Sequence, residues 1–326
     1  MRILVTGGAG YIGSHAVKYL SSLNHHVVVV DNLQTGHRDS VSNHIPFYEF
    51  SILDENKLVQ VLHDEKIEAV IHFAAFSLVG ESVKEPLKYF YNNVEGTRIL
   101  VKAMLKAHVY NIVFSSSAAV YGEQAIQPID EKALLNPSSP YGETKRVMES
   151  MLSAVSKVTP MRYVALRYFN VAGSSFDATI GERHNPETHL IPNLIKSTLD
   201  NQSIFTLYGT NHDTKDGTAI RDYIHVEDLV HAHMLALSYL VKTKQSNVFN
   251  LGTEKGYSVK EILEMTEKIT HKKINVSIQD KREGDPAVLI ASYQKAHQIL
   301  NWKPTHTLES MIESAYRFFQ KEDHHD

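Results

Sequence analysis

A doubly wound α/β fold is predicted for this chain, a parallel sheet covered by helices on both faces and followed by a smaller α/β unit. Three observations predict it. Short apolar runs alternate with helical stretches through the first 170 residues. Those runs are continuous in Val, Ile and Leu rather than alternating with polar residues, as expected of strands buried on both faces. The first run passes directly into a glycine-rich turn, "VTGGAGYIGSH", and then into a helical stretch.

Taken in order, "RILVT" reads as a strand, Tyr11 to Leu23 as a helix and "VVVV" at 27–30 as the second strand. "PFYEF" at 46–50 and "AVIHFA" at 69–74 are strands around a helix at 54–65. One long helix is expected over 86–107, then the strand "NIVFSSS" at 111–117, a helix at 140–157 and the strand "YVALRYF" at 163–169. After Asn170 the rhythm changes. A loop carries "GERHNPETH", a short helix begins near Leu190, and "SIFTLYG" at 203–209 reads as a strand before a loop at 210–222. "SNVFNLG", "SVKEILEMTEKIT", "KINVSIQD" and a helical tail complete the chain. Residues 1–170 are expected to form the first unit, to which some later segments return, and 171–326 mainly the second.

Composition narrows the function classes. The 326 residues are 43% hydrophobic, enough for a sizeable core, and 33 basic against 37 acidic residues leave a formal charge of -4 with no basic block. A nucleic-acid partner is not expected. Cysteine is absent, which excludes disulfides, thiolate metal sites and a cysteine nucleophile, and fits a reducing cytoplasm. No run approaches the 18 apolar residues of a membrane span, and glycines interrupt the first residues, so a soluble intracellular protein with no membrane partner is expected. The 19 histidines, including "HAH" at 231–233 and "DHHD" at the C-terminus, show no paired zinc-ligand spacing and are read as surface or packed residues, with no metal expected.

The glycine turn carries the first chemical signal. Gly7, Gly10 and Gly13 stand between strand and helix, where glycine permits a tight turn and lets the backbone approach a pyrophosphate met by the helix N-terminus. The second strand ends in Asp31, 18 residues after Gly13. A carboxylate there accepts hydrogen bonds from an adenosine ribose and repels an added phosphate, which points to NAD rather than NADP, with Asn32 sharing the ribose end.

The second signal is "SSPYGETK". Tyr141 and Lys145 are four residues apart and share one helix face. They follow "FSSSAAVYG", whose Ser115, Ser116 and Ser117 end a predicted strand, and ligands of open parallel sheets bind at such carboxyl ends. A free phenol is three pKa units from neutrality, or about 4 kcal/mol, and burial alone moves it the wrong way. Tyr141 therefore needs positive charge beside it, from Lys145 and an oxidised nicotinamide, while Ser117 holds the reacting hydroxyl.

With those motifs the chain resembles the extended short-chain dehydrogenase/reductases, and within them most closely the UDP-glucose 4-epimerase family. The resemblance runs through "DNL", "VIHFAA", "VGESV", "NNVEGT", "FSSSAAVYG", "RYFNVAG", "DGTAIRDYIHVEDL", "FNLG" and "REGDPA" in order. It implies a Rossmann NAD-binding unit and NAD held as a retained cofactor. It also implies interconversion of UDP-glucose and UDP-galactose through C4 oxidation, rotation of the 4-keto sugar and re-reduction. Tyr141 would be base and acid, Lys145 its electrostatic partner and Ser117 the hydroxyl-binding helper.

The resemblance further implies an NAD site lined by Tyr11, Ile12, Asp31, Asn32, Leu33, Gln34, Thr35, Gly36, Ile52, Phe73, Ala74, Ala75, Phe76, Ser77, Asn93 and Phe169. The UDP-sugar would meet Asn170, His189, Leu190, Thr206, Leu207, Tyr208, Arg221, Arg282 and Asp285. The arginines suit a pyrophosphate because their guanidinium forks are planar and permanently charged. Several positions depart from the commoner pattern. Ser51 stands where an aspartate often meets adenine, Ser77 where a lysine often sits near the cofactor, and His189 where asparagine is frequent. Leu289 occupies the position at which a bulky tyrosine in some members blocks N-acetylated sugars, so acceptance of UDP-N-acetylglucosamine is expected. A homodimer is also implied, with Leu100, Met104, Val147 and Met151 compatible either with pairing helices or with burial against the chain's own sheet.

Two other activities share these motifs. Sugar-nucleotide dehydratases resemble a pattern with Asp and Glu after the active-site hydroxyl; here Ala118 and Ala119 stand there, and dehydration lacks its acid and base. Net oxidation of a nucleotide sugar uses the same trio and is the nearer alternative. A dinucleotide-sensing regulator would need no active-site base.

Overall fold

The structure is a computed structural model and describes residues 1–200, 202–281 and 286–323. The chain runs β1 (Arg2–Thr6), α1 (Tyr11–Ser22), β2 (His26–Asp31), β3 (Phe47–Glu49), α2 (Glu55–Asp64), β4 (Ala69–His72), α3 (Val79–Lys84), α4 (Pro86–Tyr89), α5 (Gly96–Lys106), β5 (Asn111–Ser115), α6 (Pro140–Val158) and β6 (Arg162–Tyr168). It continues through β7 (Asn170–Ala172), α7 (Leu190–Leu199), β8 (Ile204–Tyr208), β9 (Ile220–His225), α8 (Val226–Thr243), β10 (Asn247–Leu251), β11 (Gly256–Ser258), α9 (Val259–Thr270), β12 (Asn275–Gln279), β13 (Val288–Leu289), α10 (Gln294–Leu300) and α11 (Leu308–Asp323).

Seven of these strands form one sheet in the order β3-β2-β1-β4-β5-β6-β10, with every pair parallel. The period of two along a strand explains the continuous apolar runs. Ile3 and Val5 of β1 join one core with Leu20, Leu229, Leu237, Leu240 and Trp302, while Leu4 between them joins another with Leu58, Leu62, Leu100, Met104, Met148 and Leu152. Each fully buried aliphatic side chain contributes about 1.5–3 kcal/mol. Strand order reverses between β1 and β4, which opens a crevice at their carboxyl ends.

The remaining strands build two small sheets. β9 pairs with β7 and β13 in parallel and with β11 antiparallel, while β8 pairs in parallel with β12. A third core beneath them holds Ile191, Leu194, Ile195, Ile262, Met311, Ile312 and Phe318. Not all of the later chain lies there: β10 extends the large sheet, and Leu229, Leu237, Leu240 and Trp302 of 226–302 fill its first core. Among the described residues no helix is long and apolar enough to cross a membrane.

One expectation needs correction, and one choice left open by the sequence is decided. The helix expected over 86–107 is interrupted in its hydrogen bonding by a π-turn across Phe90–Glu95, between α4 and α5. That turn carries Asn93, whose buried amide bridges three neighbours, and a π-turn often marks a functional site. Leu100 and Met104 are fully buried against the chain's own sheet, which removes them as surface for another protomer.

Candidate active site

The glycine turn is held shut by contacts only glycine allows. Gly7 has φ +73°, and a Cβ there would lie 2.6 Å from the Ala74 nitrogen. A Cβ at Gly13 would lie 2.0 Å from the Gly7 carbonyl oxygen, so helix α1 can begin hard against the turn. Gly10 is different: its Cβ would meet nothing closer than 3.5 Å, and glycine there keeps space open. Gly10 caps α1 without any side-chain hydrogen bond, and the first turn holds no acidic residue. The helix therefore presents unsatisfied N–H groups and the positive end of its dipole to the crevice.

Asp31 closes the far side. Its buried carboxylate accepts hydrogen bonds from the Ala9 nitrogen at 2.9 Å and the Leu33 nitrogen at 2.8 Å. Burial raises its pKa, and these backbone donors oppose the rise. Asn32 Oδ1 accepts from the Gln34 nitrogen, and Gly36 packs on Ala9, so the exposed stretch Asn32, Gln34 and Thr35 folds beside the glycine turn. Ile52 packs on Gly96 of α5, while the Ser51 hydroxyl accepts from the Leu53 nitrogen. Phe73 lies 4.7 Å from the His233 ring, and Ala75 is partly buried. Asn93 Oδ1 accepts from the Phe76 nitrogen at 2.8 Å and its amide donates to the Phe76 carbonyl and to Thr144, which ties the 73–77 loop to α6. Ser77 is exposed. Tyr11 donates to the Gly173 carbonyl at 2.5 Å, and Ile12 packs against the first core.

Ser117, Tyr141 and Lys145 converge at the carboxyl end of β5. Ser139 caps α6 by accepting from the Gly142 nitrogen, and Ser82 accepts from the Tyr141 nitrogen, so the first turn of α6 is fixed at both sides. Lys145, 4% exposed, donates to the Ser115 carbonyl at 2.7 Å and sits 5.8 Å from the centre of the Tyr141 ring. Burial pulls its pKa down from 10.5 to about 7, with Glu149 opposing. Burial raises the Tyr141 phenol, and its hydrogen bond with Ser117 pulls it back. Burial thus works against the phenolate, in keeping with the sequence argument that Tyr141 needs positive charge from Lys145 and an oxidised nicotinamide.

Sequence reasoning missed what stands behind Lys145. Glu149, one turn further along the same face, receives Arg167 in a two-pronged pair and the Ser116 hydroxyl at 2.5 Å. Arg167 also donates to the Tyr121 hydroxyl at 2.9 Å, and Tyr121 donates to Asn250 on β10 at 2.7 Å. Every charge in this network is buried and paired. The available signal was a carboxylate at i+8 from Tyr141, on the helix face that had to be buried.

The small sheet assembles the other expected residues from distant segments. Arg221 is the register partner of Leu289 across β9 and β13, and Asn170 that of Tyr223 across β7 and β9. Phe169 and Leu289 pack on one cluster with Ala118, Val120 and Tyr121, immediately after Ser117. Thr206, Leu207 and Tyr208 lie on β8 against Ser277, Ile278 and Gln279. An open groove follows β8, lined by Gly209, Thr210, Asn211, Ile278, Gln279 and Asp280. His189 caps α7, which Leu190 begins, and its imidazole pairs with Glu182. Arg282 and Asp285 lie outside the described residues.

Residues 3–252 match the model of the NAD dependent epimerase/dehydratase family. The chain belongs to this family. Among its relatives, a UDP-glucose 4-epimerase from Lactobacillus helveticus is 51% identical, covering 98% of this chain and 97% of its own. A UDP-glucose-4-epimerase from Stenotrophomonas maltophila, solved with NAD and formylated UDP-arabinopyranose bound, superposes with a TM-score of 0.97 at 37% identity, over 100% of both chains. The UDP-Glc/GlcNAc 4-epimerase of Campylobacter jejuni gives 0.85 at 37% identity, over 98% of this chain and 99% of that one. The glycine cradle, the uncapped N-terminus of α1 and Asp31 at the end of β2 fit the dinucleotide that this epimerase/dehydratase family uses.

Proposed function

We propose that this chain interconverts UDP-glucose and UDP-galactose by removing and restoring hydrogen at C4 of the sugar. The observation that carries the proposal is the meeting of Ser117, Tyr141 and Lys145 at the mouth of the dinucleotide crevice. Gly7, Gly10, Gly13 and Asp31 would hold NAD, with Tyr11, Ile12, Asn32 to Gly36, Ile52, Phe73 to Ser77, Asn93 and Phe169 around it. When bound, NAD supplies the acceptor and then the donor of the C4 hydride.

The chain's own residues manage the proton. Ser117 orients the sugar 4-hydroxyl, and Tyr141 takes its proton as the C4–H bond breaks. Lys145 lowers the cost of the phenolate, and its bond to the Ser115 carbonyl keeps it in place. Tyr141 returns the proton to O4 after the 4-keto sugar has turned its other face. Asn170, His189, Leu190, Thr206 to Tyr208, Arg221, Arg282 and Asp285 would hold the uridine diphosphate while the hexose turns. Packing of Leu289 with Phe169 beside Ala118 supports a role for its size in sugar choice, since leucine is smaller than the tyrosine that blocks N-acetylated sugars in some members. UDP-N-acetylglucosamine is therefore proposed as a second substrate.

The division of labour is proposed as an NAD-binding unit of 1–170, joined by later segments, and a substrate unit mainly from 171–326. A homodimer is proposed, with the outer surface of the helices near 86–107 and 140–157 as the pairing face, where Leu87 and Tyr91 are exposed. A cytoplasmic location is proposed from the absence of cysteine.

Purified protein given UDP-galactose without added NAD, followed by NMR, tests the reaction. UDP-glucose formed over many turnovers is expected. Release of NADH in step with an oxidised sugar would instead indicate net oxidation.

A further inference from the structure

The loop between β7 and α7 gathers four metal-ligand side chains that the mechanism does not use as a group. Glu182, His184, Glu187 and His189 each offer one ligand atom, and all four atoms lie within 4.8 Å of one another. His184 Nδ1 stands 3.0 Å from Glu182 Oε1 and 3.9 Å from Glu187 Oε1, and His189 Nδ1 stands 3.8 Å from Glu187 Oε1 and closer still to Glu182. The side chains of Glu182 and Glu187 are each only 4% exposed.

Hydrogen bonding does not account for the cluster. Glu187 Oε2 is buried without a hydrogen-bond partner, and His184 Nδ1 meets Glu182 Oε1 at 3.0 Å without the alignment of a hydrogen bond. The other Glu187 oxygen accepts from the backbone nitrogens of Thr188 and His189, which turns Oε2 inward. The pocket thus gathers two carboxylates and two imidazoles, with one buried carboxylate oxygen left unmet. A divalent cation would meet the unpaired Glu187 oxygen and take both imidazole nitrogens as ligands.

We propose that Glu182, His184, Glu187 and His189 form a structural site for a divalent transition metal of the zinc class. Two nitrogens and two carboxylate oxygens suit tetrahedral Zn2+ with bonds of about 2.0–2.2 Å, once the direct His189–Glu182 contact opens to admit the ion and Glu187 draws in. Four protein ligands leave no open position, so the site braces and does not catalyse. The hard cations Mg2+ and Ca2+ favour all-oxygen sets of six or more ligands and fit poorly. The metal engages Nδ1 of His189, leaving Nε2 for the diphosphate role given to that residue above.

The bracing has a mechanical target. Arg183, between the first two ligands, pairs with Asp39 and donates to the Ser40 hydroxyl at 3.0 Å, and His37 Nε2 donates to the Arg183 carbonyl at 2.8 Å. His184 stands edge-on to Tyr11, with ring centres 6.5 Å apart. The metal loop therefore locks the segment after the Asn32–Gly36 turn and the start of α1 to the start of α7.

Untagged protein purified without chelator should carry one zinc per chain by inductively coupled plasma mass spectrometry. Stripping the metal should lower the unfolding temperature, and one equivalent of Zn2+ should restore it. Co2+ should give the intense visible bands of a four-coordinate site. The near-isosteric E187Q, checked as folded by circular dichroism, and H184A should each weaken metal binding more than ~100-fold, beyond what loss of an outer partner costs. Three results would overturn the proposal: no stoichiometric metal together with no thermal or spectral response, a response to Mg2+ alone, or variants that bind Zn2+ as well as the parent.

Discussion

The two halves of the site are built differently. On the large sheet, each feature comes from one short stretch of chain: the glycine turn from 7–13, the carboxylate from the end of β2, the Tyr–Lys pair from one turn of α6. On the small sheet, Asn170, Arg221 and Leu289 come from strands more than 45 residues apart in sequence and meet only because β9 serves as a hub. The difference teaches that, in the assignment proposed above, the cofactor half is set mainly by backbone shape and buried charge. The substrate half is set by side chains that pairing places together. Damage to the first should abolish chemistry or folding; changes in the second should redirect specificity.

The largest effect is expected at Tyr141. Tyr141→Phe removes the proposed proton-transfer group without altering the cradle, so turnover should fall by about 10³-fold or more while NAD stays bound. Loss of NAD from this variant would show that the two functions of the large sheet are not separable.

Next is the buried network behind Lys145. Glu149→Gln leaves Arg167 charged and half-paired in the core, at a cost of about 3–5 kcal/mol in a urea unfolding series. A loss below about 1 kcal/mol would mean that water reaches Arg167 and that the network does not hold α6 in place.

Lys145 makes a prediction in pH. Burial holds its pKa near 7 against an ordinary 10.5, so from about pH 7 to pH 10.5 the unfolded chain binds more protons at this site. The lysine's cost to folding is full below pH 7 and fades as pH rises through that window. The stability of Lys145→Met relative to the parent should therefore decline between pH 7 and pH 10, by on the order of 3 kcal/mol. A pH-independent difference between the two unfolding curves would place the lysine in water.

The smallest effect tests the substrate half. Leu289→Tyr should reduce turnover of UDP-N-acetylglucosamine about 10-fold or more relative to UDP-glucose, with stability and bound NAD unchanged. An equal loss on both sugars would mean that position 289 supports the site's shape and does not select the substrate.

The same contrast explains what the sequence made legible. The strands, the glycine turn and Tyr141–Lys145 could be read because local sequence sets their geometry. The π-turn at Phe90–Glu95 could not, since one widened turn leaves a helical pattern almost unchanged; its reason is the long-range bonding of Asn93 to Phe76 and Thr144. "SNVFNLG" reads plainly as a strand, but its pairing with β6 is a tertiary choice. Leu100 and Met104 suit either a partner or the chain's own sheet, and packing decided for the sheet. The Glu182, His184, Glu187, His189 group escaped because its spacing follows no regular helix or strand period, and a loop fold brings it together.

The central claim is that one crevice removes hydrogen from C4 and returns it to the same molecule, with Tyr141 handling only the proton. It is tested most directly with UDP-galactose carrying deuterium at C4, mixed with unlabelled substrate and no added NAD. The account predicts that the UDP-glucose formed retains the deuterium at C4, with none lost to solvent. Deuterium washed into water, or left on released NADH beside an oxidised sugar, would contradict it.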